Sequence, residues 1–168
     1  MFHVGDEIIY GTQGVYRIEG IEEKTMGGTR RSYFSLKPVT ENGVLIFAPT
    51  DNAQVLKKMR HLLTKDQIHQ LIDSMPEEDS AWIAGDNDRK ERYRKILAEG
   101  DHGELIRMIK ALYTHKKERE AQGKRLHMMD EAFFRDAERA LYNEFQYVLN
   151  LESKEALMTY ILSRLEKR

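Results

Sequence analysis

The residues most able to do chemistry in this chain are cations in short runs. Arg89-Lys90-Glu91-Arg92-Tyr93-Arg94-Lys95 interleaves basic side chains with one acid and one aromatic, and His115-Lys116-Lys117-Glu118-Arg119 is followed by Lys124-Arg125. Lysine offers a compact point charge and arginine a planar fork, and several of them together hold the phosphates of a nucleic-acid backbone. Trp82, the single tryptophan, lies shortly before the first run. The single acid within the run and its proximity to Trp82 favour a phosphate-tracking role. The same residues also have a purely structural reading, with the runs as solvated helix faces and Trp82 as a packing residue between domains.

Bond-making chemistry has little to stand on. Of the six histidines, only His127 has carboxylates near it, Asp130 and Glu131, and such a trio on a charged helix is a weak metal signal. Phosphate-cradling glycine loops, nucleophile elbows and HExxH patterns are missing, and Gly27-Gly28 has no lysine in the position a P-loop needs. The chain has no cysteine, which removes disulfides, zinc–thiolate sites and thiol nucleophiles together. Met108, Met128, Met129, Phe133, Phe134 and Phe145 read as core. The expectation is a binding protein without catalytic residues, metal, cofactor or small-molecule ligand.

These residues sit in a chain of uneven charge. The net charge of −1 hides a segment, residues 89–125, with 12 basic and 6 acidic side chains, a local net of +6. Residues 1–55 carry 5 basic and 7 acidic side chains, so the basic part is embedded in a mildly acidic chain. A localised basic stretch points to an anionic partner more directly than the total does. The apolar share of 40% is enough for a packed core. No apolar run approaches bilayer length and no signal peptide is visible, so a cytosolic location is expected.

Two kinds of element must position the cations. From Val4 to Pro49 the pattern is that of short strands. Val4, Ile8 and Tyr10 alternate with Asp6, and Val15, Arg17 and Glu19 with Tyr16 and Ile18 as far as Ile21; Arg31–Leu36 and Val44–Ala48 follow. Gly11-Thr12-Gln13-Gly14, Met26-Gly27-Gly28-Thr29 and Glu41-Asn42-Gly43 supply turns, and Pro38 and Pro49 close the last two strands. From Asn52 the period becomes helical: Val55, Met59 and Leu62-Leu63, then Ile68, Leu71 and Ile72 behind an N-cap at Thr64. After the acidic connector Pro76-Glu77-Glu78-Asp79, a helix capped by Asp86 or Asn87 runs to Leu97. Leu105, Ile109 and Leu112 mark the next, Phe133, Ala137, Leu141 and Phe145 another, and Leu157, Ile161 and Leu165 a last one that starts near Ser153. The expected fold is α+β, with a small SH3- or Tudor-like β-barrel over residues 1–52 and an all-helical domain over residues 53–168. Such a barrel exposes strand edges that can accept a partner's strand.

In order and spacing, these signatures resemble the bacterial CarD/CdnL family of RNA polymerase-binding transcription regulators, whose front domain is shared with transcription-repair coupling factor. The resemblance is carried by Val4-Gly5-Asp6, Tyr10, Gly14-Val15, Ile18, Ile21, Tyr33, Leu36 and Pro49 in the front part. Behind it are Arg92-Tyr93, Leu97, Gly100-Asp101, Ile106, Ile109, Leu112, Lys124-Arg125, Ala137, Leu141 and Glu144. It implies that the front domain docks on the β subunit of RNA polymerase through Lys24, Phe47 and Pro49, partly by strand pairing. It also implies that Trp82, Arg89, Lys90, Arg92, Arg94, Lys95, Lys124 and Arg125 contact promoter DNA by its phosphates and minor groove, without an operator sequence. Stabilisation of the open promoter complex and a cytoplasmic, nucleoid-associated location follow from the same resemblance. Two positions depart from the family pattern. Phe47 stands where members carry a basic residue, and Trp82 lies about one helical turn before the position expected for the tryptophan, which falls near Asp86.

Two other classes of function compete with this reading. A protein-interaction adaptor would use the same basic helices on an acidic protein surface and leave DNA untouched. A nuclease or hydrolase built on scattered carboxylates would depend on a divalent metal.

Overall fold

The computed structural model describes residues 1–11, 13–40, 43–77 and 81–166, with the Glu77 side chain left aside. Thr12, the Glu41-Asn42 part of the expected hairpin, and Glu78-Asp79 of the acidic connector lie outside the described residues. The chain divides into two units, Met1–Leu62 and Leu63–Arg168.

The first unit is an antiparallel sheet of five strands: β1 (Glu7–Tyr10), β2 (Val15–Met26), β3 (Thr29–Pro38), β4 (Ile46–Pro49) and β5 (Met59–His61), in the order β4-β3-β2-β1-β5. Alternation puts Ile8, Tyr16, Ile18, Phe34, Leu36, Ala48 and Met59 on one buried side, and they form a core of their own. Gly14 sits at φ +120° and its carbonyl accepts the Tyr10 N–H at 3.2 Å, so the turn into β2 needs a backbone angle that other residues rarely adopt. Between Ile18 and Gly20 the β2–β3 register slips, a bulge at a strand glycine that leaves Glu19 unpaired and bends the ribbon.

The strand expectations shift at their ends. Val4 precedes β1 and is exposed, as are Val44 and Leu45 ahead of β4, while Pro49 belongs to β4 itself. The larger difference lies after Asn52. There a single-turn helix, α1 (Ala53–Leu56), is capped by Asn52 and followed by β5, which returns to pair with β1 through Ile8↔His61, Ile9↔Arg60 and Tyr10↔Met59. Met59 is therefore a sheet residue, not a helical one, and the boundary between the units falls at Leu62/Leu63, later than the expected 52/53. The physical reason is that β1 has a second edge to satisfy, and three more residues of chain satisfy it.

The second unit contains α2 (Lys65–Ser74), α3 (Asp86–Glu99), α4 (His102–Ala121), α5 (Met128–Val148) and α6 (Lys154–Glu166), with a 3-10 turn at Met75–Glu77. Thr64 and Gln67 form a reciprocal capping box on α2, worth about 1 kcal/mol. Asp101 caps α4 by accepting the Glu104 N–H, and Ser153 accepts the Ala156 N–H at the start of α6. For α3 the expected Asp86 or Asn87 cap is replaced by Gly85, which offers no side-chain bond; Asp86 and Asp88 lie in the first turn, where negative charge suits the helix dipole. The core runs through Ile68, Ile72, Tyr93, Ile96, Leu105, Met108, Leu112, Leu141, Phe145 and Leu157. Polar ties join distant segments: Arg164 holds both oxygens of Asp73, His69 bonds the Tyr160 hydroxyl, and buried Glu144 accepts the Leu63 N–H at 2.8 Å.

Candidate functional site

Cross-strand pairing gathers the sheet residues named from the sequence. Tyr33 pairs with Glu22 on one side and Pro49 on the other, and Ser35 pairs with Phe47. Directly paired residues share a face, so Lys24, Tyr33, Phe47 and Pro49 lie on the side of the sheet away from the Phe34–Leu36–Ala48 core. The Lys24 ammonium stands 3.4 Å from the centre of the Phe47 ring while its side chain keeps 33% exposure, and it also lies 3.9 Å from Glu22. A cation held over an aromatic face is oriented but still hydrated, ready to meet an acidic or carbonyl partner. Tyr33 is buried beneath these side chains.

The backbone beside them is equally specific. Thr50 N–H bonds the Ser32 carbonyl at 3.0 Å, which fixes the phase of the β3–β4 ladder. Antiparallel pairs alternate between bonded and non-bonded, so Ala48 bonds to Phe34, and the main-chain polar groups of Phe47 and Pro49 turn away from β3. Strand β4 ends the sheet, and proline fits there because its missing N–H falls on the outward side. Lys24, Phe47 and Pro49 are thus brought together at one sheet edge.

The helical unit treats its expected site residues less uniformly. Arg89 is 2% exposed, and its guanidinium is fully engaged. Nε and Nη2 donate to the two oxygens of Asp130 at 2.8 and 3.0 Å, Nη2 also to Asp86, and Nη1 to the Ile83 carbonyl. Burial acts to lower its pKa, but the hydrogen bonds and charges of Asp130 and Asp86 outweigh burial and raise it further. Trp82 lies against this group: the Arg89 guanidinium carbon is 4.4 Å from its ring on one contact, and His115 stacks on it at 3.7 Å and 9°. Trp82 is half-buried and packs within its own unit. Arg89 and Trp82 therefore stand apart from the expected DNA-facing set, because both are spent on holding residues 82–89 to α4 and α5. The signal for this was present in the sequence. Arg89, Tyr93 and Ile96 follow i, i+4, i+7 spacing, and Asp130 stands in phase with Phe133, Ala137 and Leu141.

Asp130, one of the carboxylates near His127, is consumed by Arg89, and no group of three metal-ligating side chains is found among the described residues. Arg92 is half-exposed but shares Glu104 with Arg107. Lys95 lies 4.0 Å from Glu99, a loose surface pair. Arg94, Lys124 and Arg125 are exposed and Lys90 is half-buried; none of the four has an acidic side chain within ion-pairing distance among the described residues. Tyr93 is buried with no partner for its hydroxyl among the described residues, and desolvation raises its pKa to about 12.

Met128, expected in the core, is instead 87% exposed at the first turn of α5. No helix of the described residues is long and apolar enough to cross a membrane. In comparison with known proteins, residues 2–62 match the family model of the CarD-like/TRCF RID domain, an interaction domain and not a catalytic one.

Proposed function

Because the chain is a CarD-like/TRCF RID domain protein, with an RNA polymerase-interacting front unit and a role connected to transcription, we propose that it bridges the polymerase β subunit and promoter DNA and stabilises the open promoter complex. The observation that carries this reading is the sheet edge at β4. Lys24 is poised over Phe47, and the outward main chain of Phe47 beside Pro49 offers a short template for a partner strand. Phe47 takes up the position of a basic residue by orienting Lys24.

On the helical unit, Lys90, Arg94, Lys95, Lys124 and Arg125 are the phosphate contacts in this proposal, and Arg92 contributes once it parts from Glu104. Trp82 and Arg89 serve by shaping the surface. Exposed cations give affinity without sequence information and with strong salt dependence. Weak binding suffices, since docking on polymerase raises the local concentration of the helices near the promoter. Open-complex stabilisation then equals the difference in affinity for melted and closed DNA.

The test is the lifetime of heparin-challenged open complexes on a promoter fragment with the cognate polymerase. Wild type should lengthen it. Lys24→Glu should abolish both polymerase binding and the lifetime effect, and Lys90→Glu with Arg94→Glu should abolish the effect while polymerase binding survives. If the helix variant keeps both the lifetime effect and DNA association, the adaptor reading replaces this one.

A further inference from the structure

We infer that a cleft within the helical unit, between residues 81–83, α3 and α4, binds a small monocarboxylic acid with a compact apolar body. This site goes beyond the bridging reading and does not depend on it.

Two helix faces and the segment before α3 build the cleft. Glu104, Arg107, Met108 and Ala111 recur at three- and four-residue intervals and so share one face of α4, and Arg92 and Ile96 stand one turn apart on α3. Ile96, Met108 and Ala111 are buried, and half-buried Ile83 packs against the same core, so the depth of the cleft is apolar. Its volume is about 240 Å³, below the roughly 300 Å³ at which pockets for drug-sized ligands begin. That size suits a single ring or a short branched chain.

The charge lies at the mouth. Arg92 Nη2 donates to Glu104 Oε2 at 2.9 Å, and Arg107 Nη2 donates to Glu104 Oε1 at 2.6 Å, so guanidiniums from two helices converge on one carboxylate. Arginine presents a planar fork of donors matched to carboxylate oxygens. Glu104 also lies in the first turn of α4, where the helix dipole favours an anion. The three side chains keep between 28% and 44% exposure, and ion pairs that open to water contribute little to a fold. Glu104 can therefore turn outward at small cost and yield its place to a ligand carboxylate. Asp101, which caps α4 beside it, is the neighbouring negative group that works against binding.

This exchange also sets the chemistry of the occupant. A bare carboxylate gains nothing that Glu104 does not already supply, and an uncharged apolar molecule leaves the arginines unused. An acid with an apolar body gains both, since its body leaves water against Ile83, Ile96, Met108 and Ala111. A second cleft, along α5, holds Arg135, Arg139 and Lys154, but Lys154 pairs with Glu138 at 3.0 Å and no aliphatic side chain lines it.

The experiment titrates the full chain, with its methionine and isoleucine methyl groups labelled by carbon-13, against benzoate, benzyl alcohol and acetate at constant ionic strength. Benzoate should shift the Ile83, Ile96 and Met108 signals along a saturable curve, and the other two probes should bind about tenfold more weakly. Arg107→Gln should weaken benzoate about tenfold, and Glu104→Gln, which removes the internal competitor, should tighten it by a similar factor. Both side chains are partly exposed, so circular dichroism of each variant should match wild type. Benzoate that leaves the three signals unmoved overturns the inference. So does acetate binding as well as benzoate, which would reduce the site to pairing at the rim. Equal affinity of wild type and Arg107→Gln would overturn it too, because the acid would then be held by apolar contact alone.

Discussion

The Lys24 ammonium lies 3.4 Å from the centre of Phe47 in the sheet unit, and the Arg89 guanidinium carbon lies 4.4 Å from that of Trp82 in the helical unit. The contact is of one kind, but the surroundings differ. Lys24 retains a third of its exposure and its nearest carboxylate is at 3.9 Å, whereas Arg89 is buried and bound to Asp130 by two hydrogen bonds. A hydrated cation over a ring gains little for the fold and is available to a partner. A desolvated one has become part of the core, where removing a partner strands a charge. Residue type and spacing look alike in the two places; burial and the third partner decide which is left open to solvent and which is a brace.

The comparison breaks most sharply at Asp130. Asp130→Ala removes the buried partner of Arg89 and leaves it the exposed Asp86 as its counter-charge, and should cost about 3 kcal/mol in urea unfolding of the helical unit. Survival of that unit at full stability would mean that Arg89 is no brace. Alkaline pH is the next lever. Tyr93 and Tyr142 both have pKa values raised to about 12, in each case chiefly by desolvation. A phenol whose folded pKa lies above its unfolded value keeps its full stabilising contribution below about pH 10, and loses it as pH rises through 12. The loss should be on the order of 2 kcal/mol for each, seen as a falling urea midpoint between about pH 10 and 12. Trp82→Phe should cost about 1–2 kcal/mol, by loss of area against His115 and Arg89. The indole emission of the wild type, shielded by that sandwich, should resist acrylamide quenching until the helical unit unfolds. Smallest is Lys24→Gln, with a stability change within about 0.5 kcal/mol but measurably weaker polymerase binding in a pull-down. A Lys24 variant that unfolds the sheet would erase the contrast between the two sites.

The strands through β4 were legible because period-2 alternation and glycine turns mark them directly, and α4 to α6 because their apolar stripes keep a helical period. Strand β5 was not. Val55, Met59 and Leu62-Leu63 satisfy a helical spacing, and a three-residue strand with one buried side chain, Met59, carries no alternation of its own. Its existence depends on β1, distant in sequence, needing a partner. Lys24, Phe47 and Pro49 were singled out through the family resemblance, but the placement of Lys24 over Phe47 was not expected, since it joins side chains of β2 and β4 across β3. Arg89 was read as a surface cation because α3 is dominated by charge, although its phase with Tyr93 and Ile96 put it on the inner face. Met128 erred in the other direction, its type suggesting core where the chain had just closed a tight turn.

Pro49 carries one more consequence. A sheet edge that welcomes a foreign strand also welcomes a second copy of the same chain, and such pairing grows into aggregates when the edge is long and regular. Here β4 spans only Ile46–Pro49, and the proline at its end has no N–H to give. The outward template therefore reduces to the polar groups of Phe47 and the carbonyl of Pro49. Main-chain pairing alone along so short a row is too little to hold another β4. In the proposed docking, a partner strand must also meet Lys24 and the Phe47 ring to be held there. The truncation that leaves little main chain for self-pairing thus makes recognition, in the docking proposed above, depend on side chains.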